Sequence, residues 1–298
     1  MRDLNLIVIG DRACGTTRAY LTYLAAAALR PRAVWVIDFF APSPRAIRWR
    51  RMPLVGSKLA NAMHAKEPKP AALPSPEVAQ LARALQQSVP HPIDFIGQFD
   101  FGRYAASMRE MVAEDFTDPF LQRAMLANRD CAFLFTNGGI VPRDLLARQD
   151  LRIFHVHPGL VPELRGSDCF WWSLLEGGRL GVSCFYMAPG IDEGPLLAQA
   201  EFGVPNFSYL KEHCSPAFED ALYRAFALAL DPHLRAMLFA DTLRRTSPGD
   251  LRQLPAQEQS LPTRPAYLWM HPRLRFHVLE RLVNAPPTSH SDKLELLQ

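Results

Sequence analysis

The sequence has little of what marks membrane, secreted or nucleic-acid-binding proteins. Its net charge is only +3 over 298 residues, which is too small to predict a nucleic-acid partner. The apolar runs at 6–9 and 21–29 are too short for a signal peptide or a membrane span. The five cysteines include no Cys-x-x-Cys pair, which is typical of a reduced protein and not of a disulfide framework. We therefore expect a soluble, cytoplasmic protein without a membrane partner.

What the sequence does contain is an ordinary globular composition, with 48% hydrophobic and 21% charged residues. Its length predicts one large α/β domain with an appendage, or two domains. The 26 prolines cluster at 42–92 and 248–287, and the aromatic and aliphatic residues among them indicate loop-rich insertions. A solvated loop is the preferred interpretation of one basic cluster, ahead of an anion contact; it consists of Arg45, Arg48, Arg50 and Arg51.

Two continuous apolar runs, 6–9 and 33–37, predict strands that are buried on both faces. The helix between them, which Thr16 and Thr17 can cap, gives a β-α-β order and so a parallel sheet. Further strands are predicted at 93–96, 131–135, 152–156, 182–187 and 196–202. Further helices are predicted at 75–87, 104–128, 144–149, 167–176, 216–245 and 272–283. The expected fold is α/β, with a Rossmann-like, mostly parallel sheet in a catalytic domain at 1–205, an insertion at about 41–92 and a mainly helical C-terminal extension at 206–298.

Two segments carry residue types that are suited to catalysis. His155 and His157 lie two residues apart at the end of a predicted strand, so both imidazoles point to one face. In open α/β sheets, ligands bind beyond the carboxyl ends of the strands. Asp192 lies in an acidic turn bracketed by glycines, for which a plain surface loop between two strands is the other interpretation.

In order along the chain, these segments resemble the motifs of the folate-dependent formyltransferases. Residues 154–166 resemble the motif Asn-x-His-Pro-Ser-Leu-Leu-Pro followed by Arg-Gly. Residues 181–183 and 190–195 resemble the family's Gly-x-(Thr/Ser) strand and its Asp-x-Gly-Pro turn, and 35 residues separate His157 from Asp192, close to the family's spacing. The family includes glycinamide ribonucleotide, methionyl-tRNA and sugar-nucleotide formyltransferases and formyltetrahydrofolate hydrolase. The resemblance is specific over 131–202 and plausible in layout over 4–40.

The resemblance implies an N-formyltransferase that uses N10-formyltetrahydrofolate as its co-substrate. His157 would be the catalytic histidine, and Asp192 the acid that positions it and a proton-carrying water. A histidine that titrates near neutrality can stabilise an oxyanion and move protons. The folate pocket would lie between a loop and the facing turn, and its residues would be Gly139, Ile140, Val141, Pro142, Gly190 and Ile191.

One position departs from the family motif, because His155 replaces the asparagine that donates a hydrogen bond to the formyl oxygen. A histidine can also donate one, so His155 is predicted to be the oxyanion donor. The substitution equally fits a site retuned for another reaction, or one that has lost formyl transfer. Three alternatives stay open: a formyltetrahydrofolate hydrolase, a folate-binding module without turnover, and a metal-dependent hydrolase that uses His155, His157 and Asp192 as ligands.

The acceptor is predicted to be the amine of a small molecule. Gly15 and Thr16, at a helix N-terminus, match a loop that holds the substrate phosphate in the glycinamide ribonucleotide branch, although a plain βα turn is the preferred interpretation. Arg165 and Trp171 are further candidates for acceptor binding, and helix packing is the preferred interpretation of Trp171. The region after 205 lacks the basic, strand-rich character expected of a tRNA-binding domain, so its helices are predicted to cap the pocket or to form a homo-oligomer interface.

Overall fold

The computed structural model describes residues 1–12, 14–39, 74–113, 115–136, 140–246, 249–260, 262–287, 293–294 and 296. The basic cluster, most of the proline-rich insertion and Gly139 lie outside the described residues.

The architecture is built on one twisted sheet, and its first five strands are parallel. In chain order the strands are β1 (Arg2–Asp11), β2 (Leu29–Phe39), β3 (Met108–Ala113), β4 (Ala132–Phe135), β5 (Ile153–His157), β6 (Leu180–Tyr186) and β7 (Leu196–Phe202). Their order across the sheet is β3-β2-β1-β4-β5-β6-β7, in which β6 pairs antiparallel with both β5 and β7. The order 3-2-1-4-5 is that of a doubly wound fold. The predicted Rossmann-like, mostly parallel sheet is thus confirmed.

The continuous apolar runs arise because helices cover both faces of the parallel strands. Along β1, Leu6 and Val8 belong to one buried cluster, whereas Ile7 and Ile9 belong to the other. In a strand, successive side chains point to opposite faces, so every position of such a strand must be apolar. This is why the run 6–9 predicts the strand correctly.

The helices divide unequally between the two faces. The described α-helices are α1 (Gly15–Ala26), α2 (Pro76–Leu85), α3 (Pro119–Ala127), α4 (Arg143–Leu146), α5 (Cys169–Gly177), α6 (Glu219–Ala229), α7 (Asp231–Arg245) and α8 (Pro272–Asn284). Residues of α3 and α4 pack with the Ile7 face, and residues of the other six pack with the Leu6 face. None of the described helices combines the length and the apolar character that a bilayer crossing requires.

The helices after residue 205 share the core of the sheet. Phe239 of α7 is fully buried, and its ring makes edge contacts with Tyr20 of α1 at 5.6 Å and Phe154 of β5 at 5.3 Å. The predicted helical character of this region is confirmed. Its helices α6 and α7 complete a layer over the strands that precede residue 205.

Two of the predicted elements are wrong. Residues 93–96 form no strand, because the Asp94 carboxylate accepts from the backbone N–H of Ile96 and of Gly97 and holds the segment in a turn. The predicted helix at 104–128 contains the edge strand β3 before α3 begins. The first three residues of β3 are exposed, so its sequence lacks the apolar run that marks the inner strands.

A buried histidine of α7, His233, links this helix to α1 and to the segment that follows α2. His233 is 0% exposed, and its Nε2 lies 3.0 Å from Gln86 Nε2. Because Gln86 Oε1 accepts from the backbone N–H of Ile93, the Gln86 amide nitrogen is the donor and His233 Nε2 accepts. Nδ1 of His233 then donates to Tyr23 Oη over 3.3 Å. Burial, with a smaller contribution from His91, lowers the pKa of His233 to about 3.

This depressed pKa predicts acid destabilisation. As the pH falls below about 6.5, the unfolded chain takes up a proton at residue 233 that the folded chain refuses until near its own pKa, so the free energy of unfolding decreases by about 1.4 kcal/mol per pH unit for this one proton. Urea unfolding followed by circular dichroism between about pH 6 and pH 4.5 should give a shallower slope for His233→Gln. The exposed residue His277 supplies the control His277→Gln, and equal slopes for all three proteins would contradict the assignment.

Candidate active site

The two motif histidines lie side by side on the face of the sheet that α3 and α4 cover elsewhere. In β5 they alternate with Phe154 and Val156, which belong to the opposite core. His155 pairs with Phe185 and His157 with a serine of β6, and the two imidazole centroids are 6.3 Å apart. The prediction that both rings share one face is confirmed.

A loop at 158–168 covers this face of β6 and β7 and is anchored by Ser183. The fully buried Ser183 hydroxyl accepts from Val161 N over 3.1 Å and donates to Gly159 O over 2.7 Å. Gln199 Nε2 donates to Ser183 Oγ over 2.9 Å. A Cβ at Gly181 would lie 2.5 Å from a side-chain atom of this loop. The Gly-x-Ser motif thus holds the loop that follows β5: the serine hydrogen-bonds the loop backbone, and the glycine leaves room for a loop side chain.

His157 has its tautomer determined by one backbone carbonyl. The side chain is almost fully buried, and Nε2 lies 3.0 Å from Leu164 O. A carbonyl oxygen can only accept, so Nε2 carries the hydrogen and the neutral ring has its lone pair on Nδ1. That Nδ1 lies 3.4 Å from Asp192 Oδ2. The structure therefore brings together the histidine and the acid that the motifs predict.

Burial keeps both imidazoles neutral near pH 7. Desolvation lowers the pKa of His157, and it is opposed by the nearby Asp192 carboxylate and by the bond to Leu164. Desolvation also lowers the pKa of His155, to about 4, against the same carboxylate. The site thus presents two neutral rings and one carboxylate, and one potential metal-ligand atom from each lies within 4.8 Å of the others.

Asp192 is held by its own turn and by two distant segments. Its backbone is left-handed, with φ of 55°, and Oδ2 accepts from Gly166 N over 2.9 Å. The Gln259 side-chain amide donates to the carbonyl oxygens of Asp192 and Gly194, over 3.0 and 2.7 Å. The carboxylate and the backbone of the turn are therefore fixed independently of each other.

Arg165 also holds this turn, through hydrogen bonds from its guanidinium. Its side chain is 5% exposed, and Nη1 donates to Ile191 O over 3.2 Å and to Glu193 Oε1 over 2.5 Å. Nη2 donates to Arg264 O over 3.2 Å. The guanidinium is thus occupied by the protein, which gives this motif arginine a structural role, and its predicted acceptor contact stays a prediction.

The strap, residues 257–270 without 261, runs from β7 across the loop and the turn. Gln257 forms a bridge with Leu196 at the start of β7, and Tyr267 accepts from Ser167 N and donates to Arg165 O. Gly166 has φ of 103°, and a Cβ there would lie 2.3 Å from Tyr267 O. The motif glycine is therefore required by the close approach of the strap.

Sequence reasoning missed the strap, although it holds both motif segments. Between 65 and 102 positions separate the strap residues Gln259 and Met270 from their partners Gly194 and Asp168. No periodicity or motif records contacts at such separations. The only local signal is the proline-rich composition, which indicates a loop without saying what the loop touches.

The predicted folate-binding segments lie next to each other. Arg143 at the start of α4 donates to Pro189 O over 3.1 Å, which joins the loop at 140–142 to the turn at 188–192. Val141 is buried in the core, whereas Ile140 and Ile191 are 91% and 62% exposed. These two large apolar side chains remain open to a ligand. Pro142 stands at the N-cap of α4 and Gly190 lies in the turn, and the folate-binding role of these residues stays a prediction.

The described residues of the first loop are held by packing and by side-chain hydrogen bonds. Cys14, and neither Thr16 nor Thr17, is the N-cap of α1, and no side chain caps it. The predicted threonine cap is wrong, because the Thr17 hydroxyl hydrogen-bonds Thr136 instead. Gly15 is buried beneath α6, where an added Cβ would lie 3.4 Å from Leu228 O. This packing fits the βα-turn interpretation, and the phosphate role of Gly15 and Thr16 stays a prediction.

Trp171 lies in the core between α5 and α6. It is 2% exposed, stacks on Tyr223 with the ring centroids 5.8 Å apart and meets Phe226 edge-on at 5.4 Å. The packing interpretation therefore describes its surroundings, and its role in acceptor binding stays a prediction.

The hydrogen bonds of the Ser183 hydroxyl to the loop give a testable prediction. Ser183→Ala leaves Val161 N without its buried acceptor, so we expect a loss of about 2 kcal/mol in the free energy of unfolding. Ser183→Thr keeps the hydroxyl, as the family motif allows, and should retain most of that stability. Urea unfolding measures both, with the exposed serine of Ser208→Ala as the control. A Ser183→Ala protein as stable as the control would show that the hydroxyl does not hold the loop.

Comparison with known proteins finds a sequence similarity over the part of the chain that contains the site. Residues 95–230 match the family model described as formyl transferase. The methionyl-tRNA formyltransferase of Syntrophus aciditrophicus is 36% identical over 121 residues, which cover 39% of this chain and 38% of that protein. The enzyme of the same name from Synechococcus sp. WH7803 is 30% identical over 121 residues, or 39% of this chain and 36% of that protein. The chain thus spans less than two fifths of the length of these curated relatives.

Solved structures give a weaker comparison. A sugar N-formyltransferase from Shewanella sp. is 13% identical with a TM-score of 0.39, covering 93% of this chain and 87% of that one. A phosphoribosylglycinamide formyltransferase from Bacillus halodurans is 13% identical with a TM-score of 0.42, covering 83% and 99%. These scores are too low to establish a shared fold, so the fold described above rests on the chain's own sheet. The sequence match is the stronger finding, and the matched residues 95–230 contain His155, His157 and Asp192.

Proposed function

We propose that the chain transfers a formyl group from N10-formyltetrahydrofolate to the primary amine of a small molecule. The observation that carries this proposal is the buried pair at the end of β5, in which the bare Nδ1 of His157 lies 3.4 Å from Asp192 Oδ2. The pair lies within the part of the chain that matches the formyl transferase family. In this pair His157 can accept a proton, and the negative charge of Asp192 stabilises the imidazolium that results.

The proposed role of His157 is to carry the proton that the reaction must move. The amine nitrogen attacks the formyl carbon and forms a new C–N bond, and the bond from that carbon to N10 of the folate breaks. The amine loses one proton while N10 gains one, so no other reactant is needed. His157 Nδ1 accepts this proton and returns it, and Asp192 stabilises the imidazolium that exists in between.

His155 has the proposed role of hydrogen-bond donor to the developing oxyanion. Because burial lowers its pKa to about 4, the ring is neutral at pH 7 and has one N–H to donate. A single donor of this kind contributes roughly 3 kcal/mol to an acyl-transfer transition state. The His155 ring makes an edge-to-face contact with Phe185, with the ring centroids 5.6 Å apart, which limits the orientations of the imidazole.

The donor pocket is proposed to lie between the loop at 140–142 and the turn at 188–192. Ile140 and Ile191 are the exposed apolar side chains of these segments, and exposed groups of this size are typical of a ligand-binding surface. The turn at 188–192 also carries Asp192, so donor binding and the catalytic acid share one segment.

A small-molecule acceptor is favoured over tRNA by the charges of the C-terminal region. Most of its arginines form ion pairs with nearby carboxylates, and those that do are Arg224, Arg235, Arg244, Arg245, Arg252, Arg264 and Arg275. Arginines neutralised in this way offer little attraction to a polyanion.

The five free cysteines fit a cytoplasmic location.

The first functional prediction concerns the catalytic pair. Without His157 the amine proton has no acceptor, and without the Asp192 charge the imidazolium loses its stabilisation. We therefore expect His157→Ala and Asp192→Asn each to lower kcat by roughly 10²- to 10⁴-fold. Turnover is measured as the release of tetrahydrofolate with a panel of amine acceptors, including amino sugars and aminoacylated tRNA.

The matched control is His277→Ala, which removes an exposed histidine of α8. Circular dichroism of each variant checks that the fold is retained. Near-normal turnover by either site variant would rule out the assigned roles. Formate release at the same rate with and without an amine would instead identify a hydrolase, and turnover with aminoacylated tRNA alone would overturn the small-molecule acceptor.

The second functional prediction concerns the donor pocket. Ile191→Asp places a charge where the apolar face of the folate would bind, so the affinity for 5-formyltetrahydrofolate should fall at least about tenfold, since burying an unpaired charge costs more than 1.4 kcal/mol. Leu274→Asp, at another exposed apolar residue, is the control. Calorimetric titration measures both, and equal affinities would place the folate elsewhere.

A further inference from the structure

Three side chains at the end of β5 have a geometry that fits a metal ion. One potential ligand atom from each of His155, His157 and Asp192 lies within 4.8 Å of the other two. The distance from His157 Nδ1 to Asp192 Oδ2 is 3.4 Å, and ligands of a tetrahedral zinc ion stand roughly 3.3 Å apart when each bond is about 2.0–2.1 Å. This pair already has the spacing of two ligands, and only the third ligand atom must approach.

The contact between His157 and Asp192 is incomplete without a cation. Leu164 O fixes the hydrogen on Nε2, so the neutral ring turns a lone pair towards a carboxylate oxygen that also has lone pairs. Two acceptors at this distance repel each other unless a proton or a metal ion lies between them. A divalent ion would convert the repulsion into two bonds.

His155 supplies a second unsatisfied group in the same place. Its Nδ1 is buried and has no hydrogen-bond partner among the residues that the structure describes. Buried polar atoms are normally paired. The family motif has an asparagine at this position, whereas the usual zinc ligands are cysteine, histidine, aspartate and glutamate. The substitution therefore completes a ligand set that the motif itself lacks.

The surroundings hold two of the three ligands as a metal site requires. Metal-binding histidines usually donate their other N–H to a carbonyl or a carboxylate, and His157 donates to Leu164 O. The Asp192 carboxylate accepts from Gly166 N, which orients it towards the two histidines. Two neutral imidazoles and one carboxylate suit a dication, and three protein ligands leave one position for solvent.

We propose that His155, His157 and Asp192 bind one divalent transition-metal ion, with Zn²⁺ as the best match. The ion takes the Nδ1 lone pair that would otherwise accept the amine proton. Bound metal and formyl transfer therefore exclude each other at this site.

The test is a titration of the chelator-treated full chain with Co²⁺, which reports ligand geometry through its visible absorption. We expect one Co²⁺ per chain, a spectrum typical of a nitrogen and oxygen site, and loss of that spectrum on adding excess Zn²⁺. The decisive variant is His155→Asn, which restores the residue of the family motif. It should lower the Co²⁺ affinity at least 100-fold, and Asp192→Asn should do the same.

His277→Asn, at an exposed histidine of α8, is the matched control and should bind like the unaltered chain. Circular dichroism confirms that each variant is folded. Absence of stoichiometric Co²⁺ binding, or unchanged affinity in a folded His155→Asn chain, would overturn the metal site. The titration requires no turnover, so its failure is separate from failure of the proposed formyl transfer.

The exclusion of formyl transfer by metal is tested in a second arm, and this arm alone rests on the proposed function. Turnover of the unaltered chain should fall as Zn²⁺ is added in the micromolar range and return when a chelator removes the ion. Loss of turnover on chelation would overturn the exclusion and identify the ion as a catalyst.

Discussion

The hydrogen bond between His157 Nε2 and Leu164 O governs the chemistry of the site. A carbonyl oxygen cannot donate, so this single contact decides which nitrogen of the ring carries the hydrogen and which one faces Asp192. If the loop at 158–168 were displaced, the imidazole could take either tautomer, and Nδ1 would no longer be committed to accepting a proton or a metal ion. The position of Leu164 is therefore a chemical constraint as well as a structural one.

That position is maintained by elements far apart in sequence. Ser183 of β6 anchors the start of the loop, and the strap lies over its end at Gly166. Arg165, between these supports, ties the loop to the acidic turn. The pair His157 and Asp192 is thus positioned by contacts from the antiparallel end of the sheet, while the parallel strands form most of the sheet and of its hydrophobic core. This division explains why the motif residues include several that touch neither donor nor acceptor in the proposed reaction.

The sequence predicted the parts of the molecule in which local pattern and tertiary environment agree. The buried run at 6–9 and the Ser75 cap of α2, whose hydroxyl accepts from Val78 N, are examples of such agreement. The paired placement of His157 and Asp192 came from the motif resemblance. Where a segment is exposed on one side, as in β3, or is bent by a side-chain contact, as at Asp94, local pattern gave the wrong element. The strap could not be predicted, because the Gln259 side-chain amide and the Tyr267 backbone bind backbone atoms of distant segments, and such contacts leave no periodic pattern in the sequence.

The strap also makes assembly of the site depend on the order of synthesis. A chain emerging from the ribosome presents β5, its two histidines and the acidic turn long before Gln259 and Tyr267 have been made. Until those residues arrive, the turn lacks the amide that holds its carbonyls, and the glycine at 166 has no neighbouring strand to approach. The contacts that fix the acidic turn and Gly166 can therefore form only after residues 259–267 have left the ribosome, which makes the geometry of the candidate site a late product of folding.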